Sequence, residues 1–223
     1  MTTLSARAGY ALWAPSYHRE TVVSALENES VRALPLPSRY ASLLDVGCGT
    51  ARRLAEVGGT RVVGIDVTPE MLFHADRRHD LIAADARAIP IATALFERVW
   101  CRLAIGHVAE HDQVYAELSR VCAPGGHVVV TDFHPDAVAA GHRRTFRDGN
   151  GSRMELEHHV HTPASQLTAA GRHGLELIAQ HDAVVGPSVE ALYREAGAHG
   201  AYEAQRGLAL VLVLAFRRMA CAS

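Results

Sequence analysis

The chain has 223 residues, 22 basic and 24 acidic side chains, a net charge of −2 and 48% hydrophobic residues. That length suits one α/β domain with room for a modest insertion, and the charge balance gives no support for a nucleic-acid or anionic-membrane partner. Every basic residue is Arg, which excludes a Schiff-base lysine, a P-loop lysine and a Tyr-x-x-x-Lys catalytic pair.

Residues 8–20, AGYALWAPSYHRE, are rich in aromatics, and Tyr10, Trp13 and Tyr17 share one helical face. That face either packs on a sheet or covers a ligand. The opening MTTLSARAGY lacks the apolar core of a signal peptide. A strand at 42–46 runs into a Gly-x-Gly turn, LLDVGCGT, and a helix is predicted at 51–57. A second strand, 61–66, ends in Asp66, 17 positions after Gly49. Glycines let a backbone approach a ligand, and the helix that follows presents unpaired N–H groups. A carboxylate at the tip of the next strand can accept both hydroxyls of a ribose. The pair predicts a nucleoside-containing cofactor across the carboxyl ends of two parallel strands. By itself it leaves a dinucleotide open, since GCGTA also fits a degraded G-x-G-x-x-G/A.

Helix 69–77 opens with Pro69 and Glu70, good first-turn residues. Strands follow at 81–84 and 98–103, then a helix at 113–122 stopped by APGG, and a fifth strand at 127–132. The alternation implies a parallel sheet with right-handed crossovers. Then the rhythm breaks. Residues 145–157 alternate about a DGNG turn and predict a β-hairpin inserted before a helix at 163–172. A long strand at 175–185, a helical piece at 189–196 and a last strand at 208–216 complete the chain. That last apolar run is too short to span a bilayer. Cys48, Cys101, Cys122 and Cys221 show no C-x-x-C spacing and read as free thiols of a reducing, cytoplasmic setting.

From Leu43 to about Phe133 the motifs LLDVGCGT, VVGIDVTPEML, LIAADARAIP, FERVWCRLAIGHV and APGGHVVV stand in order. Together they resemble the class I S-adenosylmethionine (SAM)-dependent methyltransferases. Within these they resemble the small-molecule group that includes the ubiquinone and menaquinone biosynthesis enzymes. The resemblance implies a Rossmann-like, doubly wound, mostly parallel seven-stranded sheet with an antiparallel C-terminal strand and the inserted hairpin. It implies a single domain over 1–223, with 1–40 as a helical lid and 134–162 as a substrate-side segment. SAM is the implied cofactor. Asp45 would meet its amino-acid end, Gly47, Cys48 and Gly49 would supply backbone contacts, and Asp66 with Val67 would hold the ribose. Asp85 and Ala86 would hold the adenine. Cys101 and Arg102, at the end of the fourth strand, and Tyr10 and Tyr17, from the opening segment, complete the expected cofactor set.

The expected activity is methyl transfer to O, N or an activated C of a small organic molecule, with specialised metabolism as one setting. Strand four lacks the Asn/Asp-Pro-Pro-aromatic loop of enzymes acting on nucleobase amines and glutamine. Trp13, Phe146, Glu155 and His158 are the candidates for substrate contact. Among 14 His, His107 and His134 follow carboxyl ends of parallel strands, where ligands sit, and are the candidate bases. The run with Glu155, Glu157, His158, His159 and His161 has ligand chemistry, but alternate strand residues point to opposite faces, so no metal is expected. Two other readings stay open: a nicotinamide-dependent oxidoreductase, and a SAM-binding module without catalysis.

Overall fold

The computed structural model describes residues 2–76 and 78–220; Arg77, the last residue of the helix expected at 69–77, and Cys221 lie outside the described residues. The elements run β1 (Thr2–Leu4), α1 (Ala6–Trp13), α2 (Val22–Arg32), β2 (Ser42–Val46), β3 (Arg61–Asp66), α3 (Pro69–Phe73), β4 (Asp80–Ala83), β5 (Phe96–Arg102), α4 (His111–Val121) and β6 (Cys122–Phe133). They continue with α5 (Pro135–Ala139), β7 (Thr145–Arg147), β8 (Arg153–Leu156), α6 (Pro163–Arg172), β9 (Leu175–Val184), α7 (Glu190–Glu195), α8 (His199–Gln205) and β10 (Ala209–Arg218).

Seven strands pair in the order β4-β3-β2-β5-β6-β10-β9. The first five of that order are parallel to one another, and β10 runs antiparallel to both β6 and β9. Strands β2 and β5 are continuous apolar runs because both faces of the sheet are covered. One face packs Tyr115, Leu118 and Val121 of α4 and Ala169 of α6. The other packs Leu26 of α2, Tyr193 of α7 and Tyr202 of α8. The direction of winding reverses between β2 and β5, so their carboxyl ends open a crevice.

Several expectations need correction. The helix expected at 51–57 is a 3₁₀ turn, Arg52–Glu56, because Ala51 enters it in a left-handed conformation, φ 54°. Helix α3 stops at Phe73. Residues 8–20 are not one helix: α1 ends at Trp13 in a 3₁₀ turn, Ala14–Ser16, started by Pro15. Helix α8 had no counterpart in the sequence reading. The inserted hairpin exists, its turn held by the Asp148 carboxylate accepting from the N–H groups of Asn150 (2.9 Å) and Ser152 (2.8 Å). Strand β1 adds to it in parallel, giving a second sheet, β1-β8-β7.

Helix α2 begins with a reciprocal cap between Thr21 and Ser24. It carries Glu27, which has no exposure to solvent. The Glu27 carboxylate accepts from Arg102 Nε (2.6 Å) and Nη2 (2.8 Å), Arg53 Nη2 (3.1 Å) and the Thr131 hydroxyl (3.0 Å). Burial alone would raise its pKa; Arg53 and Arg102 outweigh that and hold it below its ordinary 4.5. The stability conferred is therefore present above 4.5 and is lost as pH falls through the lowered value. Glu27→Ala is expected to lower the unfolding free energy by about 3–5 kcal/mol, since it leaves two guanidinium groups without their buried counter-ion. Denaturant unfolding at pH 7 measures this, and an unchanged midpoint would mean that water replaces the carboxylate.

Candidate functional site

The crevice at the carboxyl ends of β2, β3 and β5 is a cleft of about 410 Å³. The turn after β2 forms one wall. Gly47 and Gly49 both sit at positive φ, 74° and 58°. A Cβ at Gly47 would collide with Ala104, and one at Gly49 would lie 3.0 Å from Met71 Cε. This turn is thus restricted to glycine by both conformation and space. Asp66, at the tip of β3, fixes the turn: one carboxylate oxygen accepts the Gly49 N–H (2.8 Å) and the other the Thr68 N–H (2.8 Å). Burial lifts this carboxyl above its usual range, and the two backbone N–H groups pull against that. A carboxylate has about four acceptor directions, so Asp66 keeps acceptor capacity for a ligand.

Val67, Asp85, Ala86 and Arg102 also line the cleft. Asp85 accepts from the Arg87 backbone N–H (2.8 Å) and from its Nη2 (2.7 Å), and these bonds hold its pKa down. Arg87, which the sequence reading missed, lines the same end and also reaches Glu110 (3.1 Å).

The opposite wall comes from α1 and the loop after β5. Tyr10, Tyr17 and His107 line it. Tyr10 stacks on Trp13 at 5.8 Å, and Trp13 stacks on Phe146 at 5.1 Å, so hairpin and helix share one aromatic column. His107 Nδ1 lies 2.9 Å from the Glu157 carbonyl and its Nε2 3.0 Å from the Tyr10 hydroxyl. Burial and the nearby Arg144 cation drop the imidazole pKa to about 3. A neutral ring that donates through Nδ1 must accept from the Tyr10 O–H through Nε2. Tyr10 in turn accepts from Arg144 Nη2 (2.9 Å). Leu103, another cleft residue, holds a left-handed φ of 56°. Its N–H donates to the Thr131 hydroxyl (2.9 Å).

Other candidates fall elsewhere. His134 does not reach the cleft: its Nδ1 accepts the Asp136 N–H (3.1 Å) as the cap of α5, and its Nε2 lies 3.5 Å from Asp182 on β9. Cys48 and Cys101 are buried behind the strand ends, Cys48 packing toward Gly64, and burial raises both thiols. Trp13 and Phe146 stack on each other and do not line the cleft. Glu155 and His158 line a second pocket of about 240 Å³, which shares Glu157 with the cleft. Among the described residues, no group of three or more His, Cys, Asp or Glu is placed to hold a metal ion.

Asp45 also lies behind the glycine turn, 1% exposed, and neither carboxylate oxygen has a hydrogen-bond partner. Burial raises its pKa to about 6 against the attraction of Arg53 and Arg102.

Residues 44–130 match the methyltransferase domain family. A malonyl-[acyl-carrier protein] O-methyltransferase of Methylovorus is 26% identical over 74% of this chain and 62% of its own length. A demethylmenaquinone methyltransferase of Thermus thermophilus is 36% identical over 46% of this chain and 51% of its own length. The chain spans 51–62% of the length of the first curated relatives it matches. Among solved structures, an S-adenosylmethionine-dependent methyltransferase of Mesorhizobium loti superposes with a TM-score of 0.65 at 22% identity, covering 86% of this chain and 98% of that one. Geranyl diphosphate C-methyltransferase of Streptomyces coelicolor gives 0.63 at 16% identity, covering 88% and 79%. At these identities the structures establish the fold.

The charge state of Asp45 sets a pH dependence. Between its ordinary 3.8 and about 6, the folded chain holds a proton that the unfolded chain releases. The associated stability is therefore full below 3.8 and lost as pH rises through about 6. The gap corresponds to on the order of 3 kcal/mol. Asp45→Asn is expected to stabilise the ligand-free protein at pH 8 by up to about that amount and to change little at pH 4. Paired melts of both proteins across pH 4 to 8 isolate the effect, and a difference that does not vary with pH would place the proton elsewhere.

Proposed function

We propose that this chain transfers a methyl group from SAM to a small organic acceptor, because residues 44–130 match the methyltransferase domain family and the fold is shared with SAM-dependent methyltransferases. The observation that carries this reading is the glycine turn locked by Asp66: a backbone stripped of Cβ atoms beside a carboxylate with acceptor capacity to spare. These residues fit a nucleoside. Asp66 holds the ribose hydroxyls, and Asp85 and the Ala86 N–H meet the adenine at the Arg87 end. The turn of Gly47 and Gly49 lies along the amino-acid portion. The neighbouring Asp45 carboxyl, buried without a partner, is suited to a cationic ammonium that comes within reach.

When bound, SAM supplies a methyl group already activated on a sulfonium. The protein's part is alignment and exclusion of water. The rings of Tyr10 and Tyr17 line the cleft where a sulfonium would gain from an aromatic face. Residues 1–40 act as the lid and 134–162 as the acceptor-side wall, within one methyltransferase domain. Nothing in the comparisons supports a nicotinamide cofactor. The relatives and neighbours include an O- and a C-methyltransferase, and they support a small acceptor without fixing its reacting atom. The free, buried state of Cys48, Cys101 and Cys122 supports a reducing, cytoplasmic setting. Among the described residues no helix is long and apolar enough to cross a membrane.

Asp66→Ala is expected to weaken binding of SAM by about 10- to 100-fold, because charge-assisted hydrogen bonds contribute about 1.5–3 kcal/mol. Calorimetry on the folded variant reads this directly. Wild-type affinity in Asp66→Ala would remove the ribose assignment, and a wild-type protein that binds NADH in preference to SAM would overturn the function itself.

A further inference from the structure

We propose that the face of β5 turned toward α2 forms a second ligand site, off the cofactor cleft, that binds a phosphate group. The inference goes beyond the methyltransferase reading and does not depend on it. Alternate residues of a strand share a face, and Arg98, Trp100 and Arg102 of β5 all line one cavity of about 930 Å³. Its other walls come from α2, from residues 34–40 and from the 3₁₀ turn that carries Arg53. Arg102 is the one described residue that this cavity shares with the cleft. Its guanidinium is already engaged, through Nε and Nη2 with Glu27 and through Nη2 with Asn28 (2.7 Å).

Two independent observations point to an anion here. The first concerns donors. Among the described residues, the buried side-chain N–H groups without a hydrogen-bond partner are Arg53 Nε, Arg98 Nε and the Trp100 indole, and all three residues line this cavity. Buried donors are almost always matched, and leaving one unmatched is costly. The second concerns charge. Arg98 is 5% exposed. Its Nη2 donates to the Pro37 carbonyl (3.0 Å), and its guanidinium stands 4.9 Å over the Tyr40 ring. Burial works against its charge, and the groups that favour the charge are Tyr40 and the Cys122 thiol, with no Asp or Glu of the described residues among them. Glu27 is taken up by Arg53 and Arg102, while Glu20 and Glu29, the acids of the described lining, are exposed. A phosphate group brings a charge of about −1.5 to −2 and three strong acceptor oxygens. It answers a buried cation without a counter-ion and three N–H groups without acceptors. A carboxylate, with one charge and two coplanar oxygens, answers fewer of them.

The experiment titrates the full chain with phenyl phosphate and, in parallel, with benzoate, by calorimetry at an ionic strength fixed with sodium chloride. Phenyl phosphate is expected to bind one to one with a dissociation constant below about 1 mM, at least about tenfold more tightly than benzoate. Saturating S-adenosylhomocysteine is expected to leave that binding in place. Arg98→Met is expected to weaken it at least about tenfold. Trp100→Phe, which keeps a ring and loses the N–H, is expected to weaken it about 3- to 10-fold. No binding of phenyl phosphate to the wild-type protein would mean that water satisfies the three donors, and would overturn the proposal. Benzoate binding as tightly, displacement by S-adenosylhomocysteine, or undiminished binding in the two variants would each overturn it as well. The wild-type comparisons need no variant, so a misfolded Arg98→Met leaves the test intact. Failure of S-adenosylhomocysteine itself to bind would strike the methyltransferase reading alone, which separates the two outcomes.

Discussion

A carboxylate with no access to water, Glu27, governs how the N-terminal third of this chain meets the sheet. A lone charge in that position would be untenable, and two guanidinium groups and a hydroxyl surround it. The partners come from the 3₁₀ turn after β2, from the end of β5 and from β6. One side chain therefore joins α2 to three separate places at the carboxyl edge of the sheet. Hydrophobic contact between Leu26 and the sheet could tolerate sliding; a bidentate Arg–carboxylate pair tolerates little.

The same pairing explains the odd state of Asp45. Two buried carboxylates lie near Arg53 and Arg102, and only Glu27 forms hydrogen bonds to them. Asp45 feels both cations through space, without a direct bond, and burial wins: its pKa rises while that of Glu27 falls. The asymmetry leaves an unsatisfied acid directly beneath the glycine turn. It also commits the Nε and Nη2 of Arg102 to Glu27 and Asn28, so this cleft residue is braced from behind. The guanidinium further stacks 4.8 Å over Trp100, which keeps it on the α2 side of the sheet.

What was legible in the sequence follows from range. The alternation of strands and helices and the place of Asp66 at the tip of β3 could be read because they rest on periodicity and on a motif whose parts lie within about 20 residues; the antiparallel end of the sheet came from the resemblance. The hairpin was legible from its DGNG turn, whose chemistry is local. Strand β1 was not, because three residues carry no periodic signal and its partner β8 lies about 150 positions away. Glu27 looked like any acid on a polar helix face; only the fold shows that two arginines converge on it. His134 had the right address after a strand and the wrong direction, since its ring caps α5. The helix expected after the glycine turn failed on one backbone angle at Ala51, which composition does not reveal. For Trp13 and Phe146 the aromatic signal was real, and the structure spends it on mutual stacking.

The aromatic column and the three-stranded sheet make α1 and the hairpin one mechanical unit. Strand β1 pairs with β8, Trp13 stacks on Phe146, and the Tyr10 hydroxyl joins Arg144 to His107. Opening the cleft on that side would break all three together, with their apolar burial and partly buried hydrogen bonds. At the other end stand the Asp85–Arg87 and Arg87–Glu110 pairs, with side chains 36–53% exposed. Exposed pairs of this kind contribute about 0–1 kcal/mol each. The resistance to opening is therefore unequal, and the weak side is the end lined by Asp85 and Ala86. A ligand that enters there leaves the Tyr10–Arg144 contact undisturbed.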